Sequence, residues 1–189
     1  MLAGWFRMVW PSALVDHAPM VGYRRYFEEN QVVFVTLVTG DRRPWLRSAR
    51  AKSHFLACLR EAKVQHGFRH FAHVVLDDHV HWLVQAVRGE SLSDLVRYLK
   101  LLVFHRRQAM GWSCRRLWQA RFYDHIIRDE RDFCQHMDYI HYNPVRHGYV
   151  ALARQWRWSS FHTWVARGHY SHCWGSREPD GPADAGEPG

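Results

Sequence analysis

Two histidines separated by one residue, His79 and His81 in DDHVHWLV, are the first side chains in this sequence able to do chemistry. On an extended strand, residues two apart point to the same face. Two imidazoles side by side can bind one divalent ion. The pair has a plain alternative. The chain holds 15 His, so H-x-H arises easily by chance and the rings could simply pack. A third alternating histidine, which would suggest nucleotide hydrolysis, is absent, because position 83 is Leu83. A second group follows further along. Tyr139 and Asn143 are four apart and therefore share a face of a helix. The Tyr139 hydroxyl can attack phosphorus, and the Asn143 carbonyl oxygen suits a hard divalent cation. The alternative here is that Tyr139 and Tyr142 pack on a sheet and that Asn143-Pro144 closes the helix. Tyr123, in RFYDH, is a rival nucleophile on a strand, without an amide four residues on.

These side chains need elements to hold them. VVFVTLVT (32–39) is β-branched and apolar and predicts a buried strand. Residues 48–66 place Phe55, Leu56, Leu59 and Ala62 at helical spacing, closed by Gly67. FRHFAHVVL (68–76) and HVHWLVQAV (79–87) read as two strands, with Asp77 and Asp78 as a tight hairpin between them. Residues 91–110 carry an apolar stripe of Leu92, Leu95, Val96, Leu99, Leu102 and Val103, with Ser91 or Ser93 as the cap. FYDHIIR (122–128) predicts a fourth strand, and 129–143 a helix that opens on acidic residues and ends at Pro144. The order is β-α-β-β-α-β plus one helix. The expected fold is therefore α+β: a ferredoxin-like split βαβ sandwich with its helices on one face of an antiparallel sheet, and an added C-terminal helix carrying the tyrosine.

Composition narrows the function classes. With 26 Lys+Arg against 18 Asp+Glu, the net charge is +8, which attracts polyanions and above all nucleic acid. Candidate phosphate contacts are Arg24 and Arg25 ahead of the first strand, Lys100, Arg106 and Arg107 on the second helix, and Arg115, Arg116 and Arg121 after it. Trp118 and Phe122 are candidates for stacking on unpaired bases, with core packing as the alternative. Cys58, Cys114, Cys134 and Cys173 are widely spaced, which suggests reduced thiols in a cytosolic protein rather than a zinc ribbon or a disulfide framework. The N-terminal stretch is interrupted by Arg7, Pro11 and Asp16 and makes neither a membrane span nor a signal peptide. Residues 1–21 are expected to be a disordered extension, 22–170 the working domain, and 171–189, where small and acidic residues come to dominate, a disordered tail.

The segments GYRRYF (22–27), VVLDDHVHWLV (74–84), LWQARFYDHIIRDERDF (117–133) and DYIHYNPVRHGYV (138–150), taken in that order, resemble the REP-associated tyrosine transposases, which belong to the single-tyrosine HUH transposases. The resemblance spans roughly residues 22–167 and implies several things. His79-Val80-His81 matches the family's His-hydrophobic-His metal pair, and Tyr139 with Asn143 matches its Tyr-x-x-x-Asn/Gln helix, with Tyr139 as nucleophile. The implied activity is cutting and rejoining of single-stranded DNA beside a REP-type hairpin, through a 5′-phosphotyrosine. The implied cofactor is Mg²⁺, with Mn²⁺ as an active substitute that tolerates imidazole better. The implied setting is the bacterial cytoplasm at the nucleoid, with no membrane partner, as a monomer or homodimer. The competing reading is a DNA- or RNA-binding regulator of the same fold that does not cut.

Overall fold

The computed structural model describes residues 31–86, 91–109, 111 and 116–179. Two strands are buried in both phases of the pleat, and both faces of the sheet are accordingly covered. β1 (Val32–Val38) and β3 (His79–Gln85) are buried at every position. β2 (Arg69–Val75) and β4 (Tyr123–Ile126) complete a sheet of order β2-β3-β1-β4, with antiparallel neighbours throughout. That order, with helices in the two crossovers, is the split βαβ arrangement.

α1 (Ala49–His66) and α2 (Leu92–Ala109) lie on one face. Val33, Val35 and Leu37 of β1 and Val80, Trp82 and Val84 of β3 pack there with Phe55 and Leu59 of α1 and Leu95, Leu99 and Val103 of α2. Ser48 caps α1 and Gly67 ends it at φ 66. Ser91 caps α2, its hydroxyl oxygen accepting from the Asp94 N–H at 3.1 Å. The opposite phase of the strands, including Phe34 and Leu83, forms a second core with Met137, Tyr139 and Ile140 of α3 (Glu130–Arg146). The rule of helices on one face thus holds for α1 and α2, while the added helix covers the other side. No helix of the described residues is long and apolar enough to cross a membrane.

Two expectations are corrected. The fourth strand is shorter than 122–128, because its pairing with β1 spans only Val33–Thr36. Pro144 does not end the last helix. It lies inside α3, which runs on to Arg146. Proline costs a helix one N–H bond but keeps a helical φ, and with only Val145 and Arg146 following it in α3 that loss is tolerated. The stop is Gly148, at φ 69, whose N–H bonds the Val145 carbonyl at 2.9 Å. Beyond α3, Trp174 packs against Tyr170 at 4.5 Å and Phe161 at 5.7 Å between ring centroids.

The segment after α3 covers the sheet edge at β2. Val74 and Ser159 form an antiparallel bridge, and Val75 N–H donates to the Trp158 carbonyl at 2.9 Å. Trp164, on the short α4 (Phe161–Ala166), donates its indole N–H to the Phe71 carbonyl at 2.8 Å. This occupies backbone groups that an open edge would present to another chain.

Candidate active site

The tight turn between β2 and β3 sets the site. Leu76 N–H donates to the His79 carbonyl at 2.9 Å, leaving Asp77 and Asp78 as its two-residue loop. Beyond the turn, His79 and His81 point to the α3 side of the sheet, with ring centroids 4.8 Å apart. Tyr139 descends from α3 onto the same face, its ring 5.2 Å from His81 and 6.0 Å from Phe34. Asn143 lies one turn further along α3 and is fully buried. The four residues singled out by spacing therefore stand on one sheet face and the helix that covers it. Tyr139 is only 4% exposed. At the end of α3, the Arg146 guanidinium lies 5.5 Å from the Tyr139 ring centroid, and the His147 ring 5.3 Å from that of His79.

Each metal-candidate histidine is held through Nδ1. His79 Nδ1 donates to Asp78 Oδ1 at 2.7 Å, and His81 Nδ1 lies 2.9 Å from the Thr36 hydroxyl. Such bonds fix ring orientation and, from a carboxylate, raise ligand basicity. Nε2, on the other side of each ring, is then the atom placed to ligate. The hydrogen bond from His79, with Arg42 beside it, holds the Asp78 carboxyl below the usual carboxylate range. Two imidazoles and a neutral amide oxygen form a donor set that fits a divalent cation of Mn²⁺ or Mg²⁺ type with several positions left for water or phosphate. Asp78→Ala is expected to weaken Mn²⁺ binding at this histidine pair by roughly 10- to 100-fold, the scale on which loss of a ligand's hydrogen-bond partner is felt. An unchanged half-saturation point in a metal titration would contradict that role.

The hairpin itself is anchored by a buried ion pair that composition conceals. Lys52 is 1% exposed, yet its Nζ donates to Asp77 Oδ1 at 2.6 Å and to the Leu46 and Arg47 carbonyls at 2.9 and 3.1 Å. It also sits 5.1 Å from the ring centroids of both Trp156 and Trp158. Burial pushes the Lys52 amine below its ordinary range, while Asp77 pulls it back up. Removing one partner of such a pair leaves an uncompensated buried charge. Asp77→Ala is expected to cost about 3–5 kcal/mol in chemical denaturation, and Lys52→Met in that background to recover part of it. A loss under about 1 kcal/mol would show that the pair does not hold the turn.

The proposed nucleic-acid contacts are scattered. Arg24, Arg25 and Arg115 lie outside the described residues. Lys100 Nζ donates to the Gln119 and Arg121 carbonyls at 2.8 and 3.3 Å, so it shapes the segment after α2. Arg106 pairs with Glu61, and the Arg107 guanidinium stacks 4.7 Å from the Trp45 ring centroid. Trp118 is a core residue here. It is 8% exposed and wedged against Trp45 and Phe55, so it offers no stacking platform to a base. Arg116 and Arg121 are exposed. Arg97, Lys100, Leu101, Phe104, Arg116 and Phe122 help line an open groove of about 420 Å³ between α2 and the segment that follows it. Tyr123, the rival nucleophile, lies on the same sheet face, paired with Thr36, which is in turn paired with His81. Asp77, Asp78, Thr36 and Lys52 were missed as site builders. Asp77 and Asp78 read as turn residues, and nothing local marks a threonine or lysine whose partners lie 45 and 25 residues away.

Residues 29–143 match the family described as Transposase IS200 like. The REP-associated tyrosine transposase of Escherichia coli strain K12 is 34% identical over 156 residues, covering 82% of this chain and 91% of that protein. A Haemophilus influenzae protein, provisionally assigned to the same group, is 33% identical over 173 residues, covering 85% of this chain and 96% of its own length. Among solved structures, a REP-associated tyrosine transposase bound to a REP hairpin superposes with a TM-score of 0.76 at 32% identity, covering 89% of this chain and 98% of that one.

Proposed function

The chain belongs to the IS200-like transposases and to the REP-associated tyrosine transposases, and from that premise we propose that it cuts and rejoins single-stranded DNA beside a REP-type hairpin, with Tyr139 as nucleophile. The observation that carries this reading is the row of edge-to-face rings on one sheet face, His79 beside His81 and His81 beside Tyr139, at 4.8 and 5.2 Å between centroids.

A free phenol has a pKa of about 10, so roughly one in a thousand is ionised at neutral pH. His79, His81 and Asn143 would hold a divalent ion, which when bound draws charge from the scissile phosphate as a Lewis acid. The Tyr139 oxygen attacks phosphorus, forming the Tyr–O–P bond as the P–O3′ bond breaks. The phenolic proton is lost to the surroundings, and the departing oxygen takes up a proton to become a 3′-hydroxyl. The 5′-phosphate stays on Tyr139, so the phosphodiester energy is kept. A 3′-hydroxyl from a second strand can then reverse the step and join DNA without ATP. Arg146, above the Tyr139 ring, is placed to meet the phosphate charge that arrives there. The groove beside α2 offers exposed Arg116 next to Phe104 and Phe122, a combination suited to unpaired nucleotides.

Incubation with end-labelled hairpin DNA carrying a single-stranded flank, in the presence of Mn²⁺, is expected to give cleavage in the flank and a protein-linked product on a denaturing gel. A matched RNA hairpin and a blunt duplex are expected to stay intact. Tight hairpin binding without any cut would favour the non-cleaving regulator instead, and cutting of the RNA alone would overturn the DNA assignment.

A further inference from the structure

We propose that His125, Asp132 and His136 form a second metal site, for a first-row divalent transition ion such as Zn²⁺, pinning β4 to the first turns of α3. This inference does not rest on the reading of Tyr139 or of the β3 histidine pair.

It begins with spacing. Asp132 and His136 are four apart on α3, so their side chains share one helical face and can converge on one ion. His125 comes from β4, from the strand phase that faces α3 and pairs with Phe34. One ligand-capable atom from each of the three residues lies within 4.8 Å of the others, and this is the group of that kind found among the described residues. His125 Nε2 is 2.9 Å from Asp132 Oδ2, and His136 Nδ1 is 3.0 Å from Asp132 Oδ1. Ligands of a tetrahedral zinc ion, each bonded at about 2.0–2.2 Å, stand roughly 3.4 Å apart. Both imidazole–carboxylate separations are already near that value, and two imidazoles with one carboxylate leave a fourth position for water.

The surroundings are those of a built site. Asp132 is 4% exposed and His136 fully buried. The carboxylate is oriented from outside the cluster, since the Arg128 N–H donates to Asp132 Oδ2 at 3.0 Å and its Nε to the same oxygen at 3.2 Å. Asp129, the cap of α3, accepts from the Asp132 N–H at 2.8 Å. The nitrogen that His136 turns to the cluster is Nδ1, which lies 2.8 Å from the Asp132 backbone carbonyl as well as 3.0 Å from Oδ1. With the ring proton on Nε2, the Nδ1 lone pair is available to an ion held between His136, Asp132 and His125. The rings of His125 and His136 are stacked at 4.6 Å and 17°, so both are held in place before any ion arrives.

The position gives the site a consequence. Phe34 stands between it and the first pair, 4.8 Å from His136 and 5.2 Å from His81. An ion at His125 therefore fixes the first turns of the helix that carries Tyr139 without touching the reacting groups.

The test uses the full chain without a histidine tag, with Co²⁺ as a spectroscopic probe and Zn²⁺ in chelator competition. In a His79→Ala/His81→Ala background, one equivalent of Co²⁺ is expected to bind with visible ligand-field bands and no thiolate charge-transfer band, and saturating Zn²⁺ to raise the melting temperature. His125→Asn and His125→Phe, two changes at the partly exposed ligand, are each expected to remove that equivalent while circular dichroism reports a folded chain. Should the double background not fold, the wild-type chain against His125→Asn gives the same answer as two equivalents against one. Absence of the equivalent, its persistence in both His125 variants, or a thiolate band from Cys134 or Cys173 would overturn the proposal.

Discussion

Tyr139→Phe is expected to abolish the covalent protein–DNA adduct and to lower strand cleavage by a factor on the order of 10⁴ or more, the scale on which loss of a catalytic nucleophile is felt. The substitution removes one oxygen and keeps the ring that packs on Phe34 and His81. Hairpin binding should therefore stay within about tenfold of wild type, as expected for loss of a single polar contact. Tyr123→Phe serves as the matched control, because Tyr123 is the other tyrosine on this sheet face near His81. An adduct that survives denaturation in the Tyr139 variant and disappears in the Tyr123 variant would transfer the role to β4.

The second large effect concerns the metal. His79→Ala and His81→Ala are each expected to raise the Mn²⁺ concentration for half-maximal cleavage by more than about 100-fold, beyond the outer-shell effect at Asp78. Losing one imidazole leaves a labile ion with one histidine and an amide, and added Mn²⁺ should restore neither variant fully. Asn143→Ala should be milder, because water replaces a neutral oxygen donor at modest cost. If the two rings merely packed, alanine would lower stability and leave the half-saturation point where it was. That outcome in both variants would remove the metal pair from the account.

Much of this arrangement was legible because it rests on local pattern. The unbroken apolar run of β1, the alternation that puts His79 and His81 on one face, and the Tyr139–Asn143 spacing need only strand and helix periods. What escaped depends on distant partners. A lysine near the start of α1 gives no sign that Asp77 and two tryptophans will enclose it, since those tryptophans lie about a hundred residues on. The edge cover at β2 comes from α4, six residues long, and from bonds between groups about 90 residues apart, too short an element and too long a reach for periodicity to reveal. Trp118 looked available for bases because its neighbours Arg115, Arg116 and Arg121 are basic. Its burial is decided by Trp45 and Phe55 instead. Pro144 read as a terminator, but the last turn of α3 absorbs it and Gly148 supplies the left-handed residue that stops the helix. Asp132 and His136 were visible only as part of an acidic helix start, because the strand histidine that completes the group becomes a neighbour only through the turn between β4 and α3.

The most direct check on Tyr139 as nucleophile is to trap the reaction with flanked hairpin DNA and Mn²⁺, digest the protein and the DNA, and locate the remaining nucleotide by peptide mass spectrometry. The account predicts a single modified peptide, with a nucleotide 5′-phosphate esterified to Tyr139. A nucleotide on Tyr123, or cleaved hairpin with no nucleotide on any peptide, would contradict it.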